Sequence, residues 1–271
     1  MTALATLVAP ALAVAAEPAP PSPSPSSGRS QNEPSTALFV ASVAFELGGR
    51  RFAYTDALTP NLRGYGVFGA PTPVVGAEIY PFAATGIPVL SDLGVTARIA
   101  GALGLASATS EGDVLTTHWS RFDFGGRLRF RPIGTRGVMV GLRGSLGNEQ
   151  FGFVDAPKSL AATLPEVSYS YSRVGLDARV PFGRAALLLD AGYDGVETAG
   201  ALYTRIRSAS VGGVDAGLGL AVRIGLGFEA RIHARYVRYV SAFAPVPGDA
   251  YVAGGALDEL FAVGIGGAYA Y

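Results

Sequence analysis

The feature that most constrains this chain is a strict alternation of apolar and polar residues. Residues 228–236 read FEARIHARY, and residues 122–131 read FDFGGRLRFR, where a glycine pair stands inside the same alternation. Successive side chains of a β-strand point to opposite faces of a sheet, whereas a helix needs apolar residues every three or four positions. Each segment therefore has one apolar and one charged face. The sequence predicts an all-β fold.

About ten segments of this kind follow residue 37, separated by stretches rich in Gly, Pro, Asn and Asp. The predicted strands cover residues 37–51, 72–82, 92–106, 117–132, 137–151, 166–181, 184–195, 209–224, 227–241 and 257–271. Three of the connections that follow even-numbered segments are tight, and those that follow odd-numbered segments are long. We expect turns at one end of the sheet and loops at the other.

An even number of antiparallel strands, with turns at one end and loops at the other, is typical of a closed transmembrane β-barrel. A soluble sandwich or a lipocalin-like barrel would also alternate, but its apolar face would lie inside. The composition favours lipid, since 49% of the residues are hydrophobic, 15% are charged and the mean hydropathy is +0.33. The sequence predicts an antiparallel transmembrane β-barrel of about ten strands, with eight or twelve strands as alternatives.

Aromatic residues form belts at both membrane interfaces of such barrels. The candidates near the tight turns are Phe39, Phe82, Phe130, Phe182, Phe228, Tyr269 and Tyr271. Those near the long loops are Tyr54, Trp119, Phe151, Tyr169, Tyr171, Tyr193 and Tyr239. We expect two lipid-facing belts.

Residues 1–36 differ in composition from the rest of the chain. Residues 1–15 carry no charge and end in Ala13-Val14-Ala15, which matches an A-x-A cleavage site, although no basic residue precedes it. Residues 16–36 are rich in Pro and Ser and have too few apolar residues to offset the entropy of ordering. We expect a signal peptide over residues 1–15, a disordered linker over 16–36 and the barrel over 37–271. A disordered Ala-rich tail is the alternative for residues 1–15.

Charge and cysteine content exclude several kinds of function. With 21 basic and 21 acidic residues, the chain has no net charge with which to bind nucleic acid. It contains no Cys, which excludes disulfides, thiolate metal sites and a cysteine nucleophile, and its two His residues leave little for zinc. No phosphate-binding loop or nucleotide fingerprint appears in the sequence. We expect neither a metal nor a cofactor.

The C-terminal residues 261–271 read FAVGIGGAYAY. The last residue is Tyr271, Tyr269 lies two positions before it, and Gly266 lies three further back. This pattern resembles the C-terminal assembly signal of bacterial outer-membrane proteins, although Gly264 stands where that pattern has a polar residue. The resemblance implies a small outer-membrane β-barrel protein that is inserted by the barrel assembly machinery. It also implies periplasmic turns and N-terminus, extracellular loops, and contact with outer-membrane lipid and lipopolysaccharide.

The charged strand faces would then line the lumen, where opposite charges must pair. The predicted lumen residues are Arg98, Arg121, Asp123, Arg127, Arg129, Arg131, Arg143, Arg173, Asp177, Arg179, Asp190, Asp194, Asp215, Arg223, Glu229, Arg231, His233 and Arg235. Side chains just fill a barrel of about eight strands, and ten strands enclose only a little more space. A packed interior is therefore favoured over a narrow channel.

The sharpest enzymatic candidate is His118-Trp119-Ser120, where His118 and Ser120 face lipid by parity with Phe122. An imidazole two residues from a hydroxyl on one face could act as its base. The spacing resembles the His-x-Ser pair of outer-membrane phospholipase A and of the lipid A deacylases, and it implies a lipid hydrolase. Gln150 or Asn148 on the next strand could orient the histidine, but the flanking motifs of those families are absent.

The simpler interpretation is that His118 and Ser120 are polar residues at the rim of the barrel with no catalytic role. The paired aspartates and the Asp-x-His arrangement of the omptin proteases are also not found. We therefore expect a non-enzymatic barrel, either structural or a narrow solute pore, with surface-exposed loops. A lipid hydrolase that uses His118, Ser120 and Gln150 is the alternative.

Overall fold

The computed structural model describes residues 34–108, 114–134, 137–154, 166–206 and 209–271. The predicted signal peptide and most of the predicted linker lie outside the described residues. The strands are β1 Phe39–Thr55, β2 Tyr65–Ile79, β3 Leu93–Gly101, β4 Leu105–Ala108, β5 Val114–Phe130, β6 Met139–Val154, β7 Val167–Phe182, β8 Ala185–Ala199, β9 Ser210–Gly225, β10 Phe228–Ala242 and β11 Gly255–Ala270.

Every neighbouring pair of strands is antiparallel, and the sheet closes on itself. The first strand β1 pairs with β2 on one side and with the last strand β11 on the other. Strands β3 and β4 both pair with β5, so they are two segments of one barrel strand. The result is a closed antiparallel barrel of ten strands, as the sequence predicted.

Helical structure is short in the described residues. A 3-10 turn covers Leu90–Asp92, and helix α1 covers Ala201–Arg205. No helix in this part of the chain is long and apolar enough to cross a membrane.

The second strand begins earlier than the sequence predicted. The sequence predicts a second strand that starts at residue 72, after a long connection, but β2 begins at Tyr65. Gly69 has φ +79°, and the pairing register shifts opposite it between Gly48 and Gly49. A glycine in this left-handed region is the extra residue of a β-bulge, so the strand continues past it.

The exterior of the barrel is apolar over most of its height. Outward side chains such as Leu146, Val174 and Ile265 are each more than 60% exposed. On the described strands, the charged side chains that face outward are confined to the loop end: Arg51, Glu197, Arg238 and Glu259. An uncharged outer surface between two polar ends is what a bilayer requires of a barrel.

The belt of aromatic residues predicted at the loop end is mostly wrong. Trp119, Phe151, Tyr169, Tyr171 and Tyr239 are buried inside the barrel, and Tyr54 packs against them. The reason is parity, because Trp119 shares the inward face of β5 with Arg121, and the other strands behave in the same way. Tyr193, 59% exposed, faces outward as expected.

Candidate functional site

The structure places the predicted lumen residues on the inward side of the barrel wall, and most of them form ion pairs in several separate groups. The sequence analysis missed five further inward charges: Glu46, Arg50, Glu78, Glu149 and Asp258. The period-two parity of β1, β2, β6 and β11 could have identified them. The alternation of apolar and polar residues is weak around these five residues, because Gly and Ala occupy many of the neighbouring inward positions.

Glu46 is the centre of the ion pairs in the middle of the barrel. One carboxylate oxygen of this fully buried residue lies 2.7 Å from Arg98 and 2.8 Å from the His233 ring, and the other lies 3.3 Å from Arg121. These partners come from β3, β5 and β10. One acidic side chain on β1 therefore connects strands across the lumen.

A second group of ion pairs lies nearer the turns. Arg127 bonds to Asp177 and, at 2.6 Å, to Glu78. Arg143 lies within 4 Å of the same two carboxylates.

On the far side of the barrel, Arg173 serves several acidic residues. It donates to Asp215 and Asp190 at 2.7–2.8 Å, and its Nε lies 3.9 Å from Asp194. Arg179 pairs with Glu229, which also accepts from Arg231. The lumen is therefore crossed by paired charges in several directions.

The loop end of the lumen is filled by aromatic rings around one buried ion pair. The Arg50 guanidinium contacts Asp258 at 2.8 Å, and both side chains have no exposed surface. The Tyr169 hydroxyl donates to Asp258 at 2.8 Å, and the Tyr169 ring stacks on Tyr239 with ring centroids 4.1 Å apart. Arg50 also lies 4.3 Å from the centre of the Phe151 ring. We call Arg50, Phe151, Tyr169, Tyr239 and Asp258 the loop-end plug.

Glycines on the inward faces make room for these rings. A Cβ atom at Gly48 would lie 2.6 Å from the Trp119 ring, and one at Gly213 would lie 2.6 Å from the Tyr239 ring. Real Cβ contacts are never this short, so the rings lie directly on bare backbone. Part of the high glycine content therefore serves the packing of the lumen.

The turn end is anchored by the residues that lead into β1. Arg129 donates to the carbonyl oxygens of Pro34 and Ala37 at 3.2 and 3.1 Å, and its guanidinium lies 3.3 Å from the centre of the Tyr80 ring. Residues 34–36 were assigned to the linker, but Pro34 and Ser35 are buried against the barrel. Within the described residues, the chain is packed against the barrel from Pro34 onward.

Tyr80 follows directly after β2 at this turn end. Its hydroxyl donates to Glu78 at 2.7 Å. Burial, reinforced by the neighbouring Glu78 carboxylate, raises the pKa of the phenol. Tyr80 therefore remains a protonated donor.

A cavity of about 300 Å³ lies in the lumen among these ion pairs. Its lining includes Arg98, Asp123, Arg143, Asp190 and His233. Within the described residues, no cluster of three or more His, Asp or Glu side chains has the arrangement of a metal site. The cavity is a polar space suited to water or a small polar solute.

The His118 and Ser120 pair lies outside the barrel, where β5 changes from apolar to polar residues. The His118 Nε2 atom lies 3.1 Å from the Ser120 Oγ atom, within hydrogen-bond distance. Gln150 is the cross-strand partner of Ser120, as the sequence indicated. Its amide nevertheless donates to Ser168, and Asn148 donates to Ser168 and Ser170. Among the described residues, no carboxylate or amide forms a hydrogen bond with His118.

The C-terminal residues lie in the seam that closes the barrel. The Tyr271 amide donates to the Phe39 carbonyl, and the Tyr271 carbonyl accepts from the amides of Leu38 and Phe39. Tyr269 contacts the Phe228 ring on the outer surface. Gly266 faces inward, and a Cβ atom there would lie 2.3 Å from the Val43 carbonyl oxygen.

Comparison with known proteins supports the fold. No protein-family model and no curated sequence matches the chain. Among solved structures, the outer membrane protease OmpT from Escherichia coli superposes with a TM-score of 0.52 at 9% identity, over 86% of this chain and 96% of that chain. This chain has the fold of a bacterial outer-membrane β-barrel.

Other matching structures come from the same class of barrels. The translocator domain of the autotransporter NalP from Neisseria meningitidis matches 87% of this chain and 89% of its own, with 12% identity and a TM-score of 0.36. Ail, the attachment invasion locus protein of Yersinia pestis, matches 85% of this chain and 98% of its own, with 11% identity and a TM-score of 0.29.

Proposed function

We propose that this protein is a non-enzymatic outer-membrane barrel with a closed lumen, which presents its long loops as a contact surface. The loop-end plug is the observation that carries the proposal, because its ion pair has no exposed surface and is packed among aromatic rings, which argues against a water path at that height. The ion pairs around Glu46 and Arg173 support it further. The other version of this proposal is a barrel with a narrow solute pore. A conductance measurement distinguishes that pore from a closed lumen.

The orientation in the membrane is part of the proposal. The tight turns and the N-terminus lie in the periplasm, and the loops around Asn61, Pro157, Thr204 and Asp249 lie outside the cell. Pro157 lies outside the described residues. These loops carry few charges and many Gly, Pro and Ala residues, which suits a mobile contact surface. Protease cleavage at tags inserted after Asn61 or Gly183 in intact cells tests the orientation, because only the first should be cut.

Conductance in a planar bilayer tests the closed lumen. The wild-type barrel should pass little or no current, because the plug excludes water. Replacing Tyr239 by Ala removes an inward ring and should raise the conductance. Tyr193→Ala removes an outward ring near the same end and is the matched control, for which no change is expected. A large, steady conductance of the wild-type barrel would contradict the closed lumen.

The second candidate function is lipid hydrolysis, and the 3.1 Å contact between His118 and Ser120 favours it. The pair lies at the edge of the apolar band, where the ester groups of membrane lipids lie. In such a reaction, Ser120 Oγ would attack the ester carbonyl while His118 Nε2 takes the hydroxyl proton, and the protonated histidine would return a proton to the leaving alcohol. Water would then hydrolyse the acyl-serine ester, release the fatty acid and restore the Ser120 hydroxyl. The lack of a third group that orients His118 weighs against it.

Lipid deacylation assays on the refolded barrel separate the two candidates. On the favoured proposal, His118→Ala and Ser120→Ala leave every measured property unchanged. On the second, both variants abolish the release of fatty acid. Ser172→Ala, which removes an outward serine on β7 that donates to Glu197, should leave it intact. All variants should first be shown to form the heat-modifiable barrel.

A further inference from the structure

Four side chains at the loop end make a charged row on the outer surface. Glu259 on β11 is the cross-strand partner of Arg51 on β1 and of Arg238 on β10. The two arginines therefore flank one carboxylate on adjacent strands, with Cα atoms about 10 Å apart from two strand spacings. The Tyr236 hydroxyl donates to Glu259 at 2.6 Å. We call Arg51, Tyr236, Arg238 and Glu259 the outer charged row.

The two guanidinium groups of this row are accessible from outside the barrel. Both arginines are exposed, and neither makes a hydrogen bond or an ion pair with any residue that the structure describes. Other exposed positions of the same three strands nearer the turns are apolar, such as Val43, Ile232 and Ile265. The row holds two arginines and only one carboxylate, so one positive charge is left without an opposite charge, which favours an anionic partner.

The position of the outer charged row along the barrel axis indicates the kind of partner. Tyr236 and Phe261 are cross-strand partners, and the Phe261 ring lies over Gly49 with its centroid 5.5 Å from that of Phe68. Such an outward aromatic row marks the membrane interface. Arg51, Arg238 and Glu259 lie two residues, or about 7 Å, further toward the loops. Lipid headgroups lie at this level.

We propose that the outer charged row binds the phosphorylated glycan headgroup of a lipopolysaccharide molecule. Arg51 and Arg238 each contact a phosphate group, and their separation suits two phosphates on one disaccharide better than a single phosphate. Glu259 lies between them and would repel a lone phosphate placed midway. Its second oxygen has no donor among the described residues, so it is free to accept a sugar hydroxyl.

This inference rests on the proposed membrane residence and on the proposed orientation, with the loops outside the cell, but not on the closed lumen. It predicts selectivity among lipids that bulk charge attraction does not explain. Lipid A, with two phosphates on a disaccharide, should bind more tightly than phosphatidylglycerol, which has one phosphate on glycerol. Phosphatidylcholine, which has no net charge, should bind least.

The test is the unfolding temperature of the barrel refolded in neutral detergent, titrated separately with the three lipids. Lipid A should raise this temperature at the lowest concentration. Arg51→Gln and Arg238→Gln should each weaken the apparent affinity for lipid A about tenfold, since each removes a charge-assisted hydrogen bond. Arg184→Gln, an exposed arginine at the turn end, is the matched control and should leave the affinity unchanged.

Two results would overturn the inference. One is a lipid A effect of equal size in the wild type and in the Arg51→Gln/Arg238→Gln variant. The other is equal binding of lipid A and phosphatidylglycerol, which would leave only general attraction of anions. A barrel that fails to insert into phosphatidylcholine vesicles would instead contradict membrane residence, so the two failures are distinguishable.

Discussion

At the residue scale, stability depends on charges that are buried in pairs. Arg50 and Asp258 have no exposed surface, and the rings of Phe151 and Tyr169 pack against them. Removing one charge of such a pair leaves the other without compensation, which costs more than the pair itself contributes. The lumen is therefore sensitive to changes that conserve shape but not charge.

Asp258→Asn should lower the free energy of unfolding by about 3 to 5 kcal/mol, since it leaves the Arg50 cation buried and unpaired. Urea unfolding in lipid vesicles measures the effect. Asp56→Asn makes the same chemical change at an exposed loop residue whose φ of +52° Asn readily adopts, and it should have little effect. Equal stability of both variants would contradict the importance of the buried pair.

Inward glycines are the second sensitive class of residue. Gly48→Val should destabilise the barrel by about 1 to 3 kcal/mol, because the new side chain overlaps the Trp119 ring. The outward Gly144 has no atom within 4 Å of its Cβ position. Gly144→Val is therefore the control, because it makes the same change in β-strand propensity without a steric overlap. Unfolding measured for both variants checks the prediction, which fails if Gly144→Val is the more harmful change.

At the scale of the strand, the two faces should differ in their tolerance of charge. On β10 the outward positions run from Phe228 near the turn to Val240 beyond the outer charged row, with Ile232 midway through the apolar band. A charge on this face is costly in proportion to its depth in the bilayer. A single strand therefore offers both a test and its control.

Ile232→Arg should cost about 2 to 4 kcal/mol, and Val240→Arg about 0 to 1 kcal/mol, because only the first lies near the bilayer midplane. Folding into vesicles over a urea series measures both. Similar values at the two positions would contradict the lipid-facing assignment. Arg129→Gln would be a poor control for a substitution on the inward face. Arg129 donates hydrogen bonds to the Pro34 and Ala37 carbonyls and packs on the Tyr80 ring, so its loss would itself be destabilising.

At the scale of the whole molecule, closure depends on the pairing of the first and last strands. If the C-terminal residues also act as an assembly signal, Tyr271→Ala should reduce the heat-modifiable barrel in cells but not after refolding in detergent. The side chain is 60% exposed and contributes little packing, while its backbone bonds to Leu38 and Phe39 remain. Tyr271→Phe should behave as wild type. An equal loss in cells and in detergent would assign Tyr271 a structural role only.

The sequence by itself determined the period of the strands, their number, and the turn and loop ends. It did so because each strand repeats the same alternation, and that signal is local. The inward and outward faces of β5 and β10 follow from the same parity. Even the contact of His118 with Ser120 follows, since two residues on one strand face are neighbours in any register.

Only the tertiary structure decided which inward residues meet. Arg50 and Asp258 are 208 positions apart in sequence, and they touch because β1 pairs with β11 in one register. Strand parity, which the sequence contains, fixes whether each aromatic ring near the loops points toward lipid or into the lumen. Their stacking across the lumen depends on the diameter, tilt and stagger of the closed barrel, which are properties of all ten strands together. The local alternation therefore specifies the strands of the barrel, and the closure of the barrel specifies which side chains meet in its lumen.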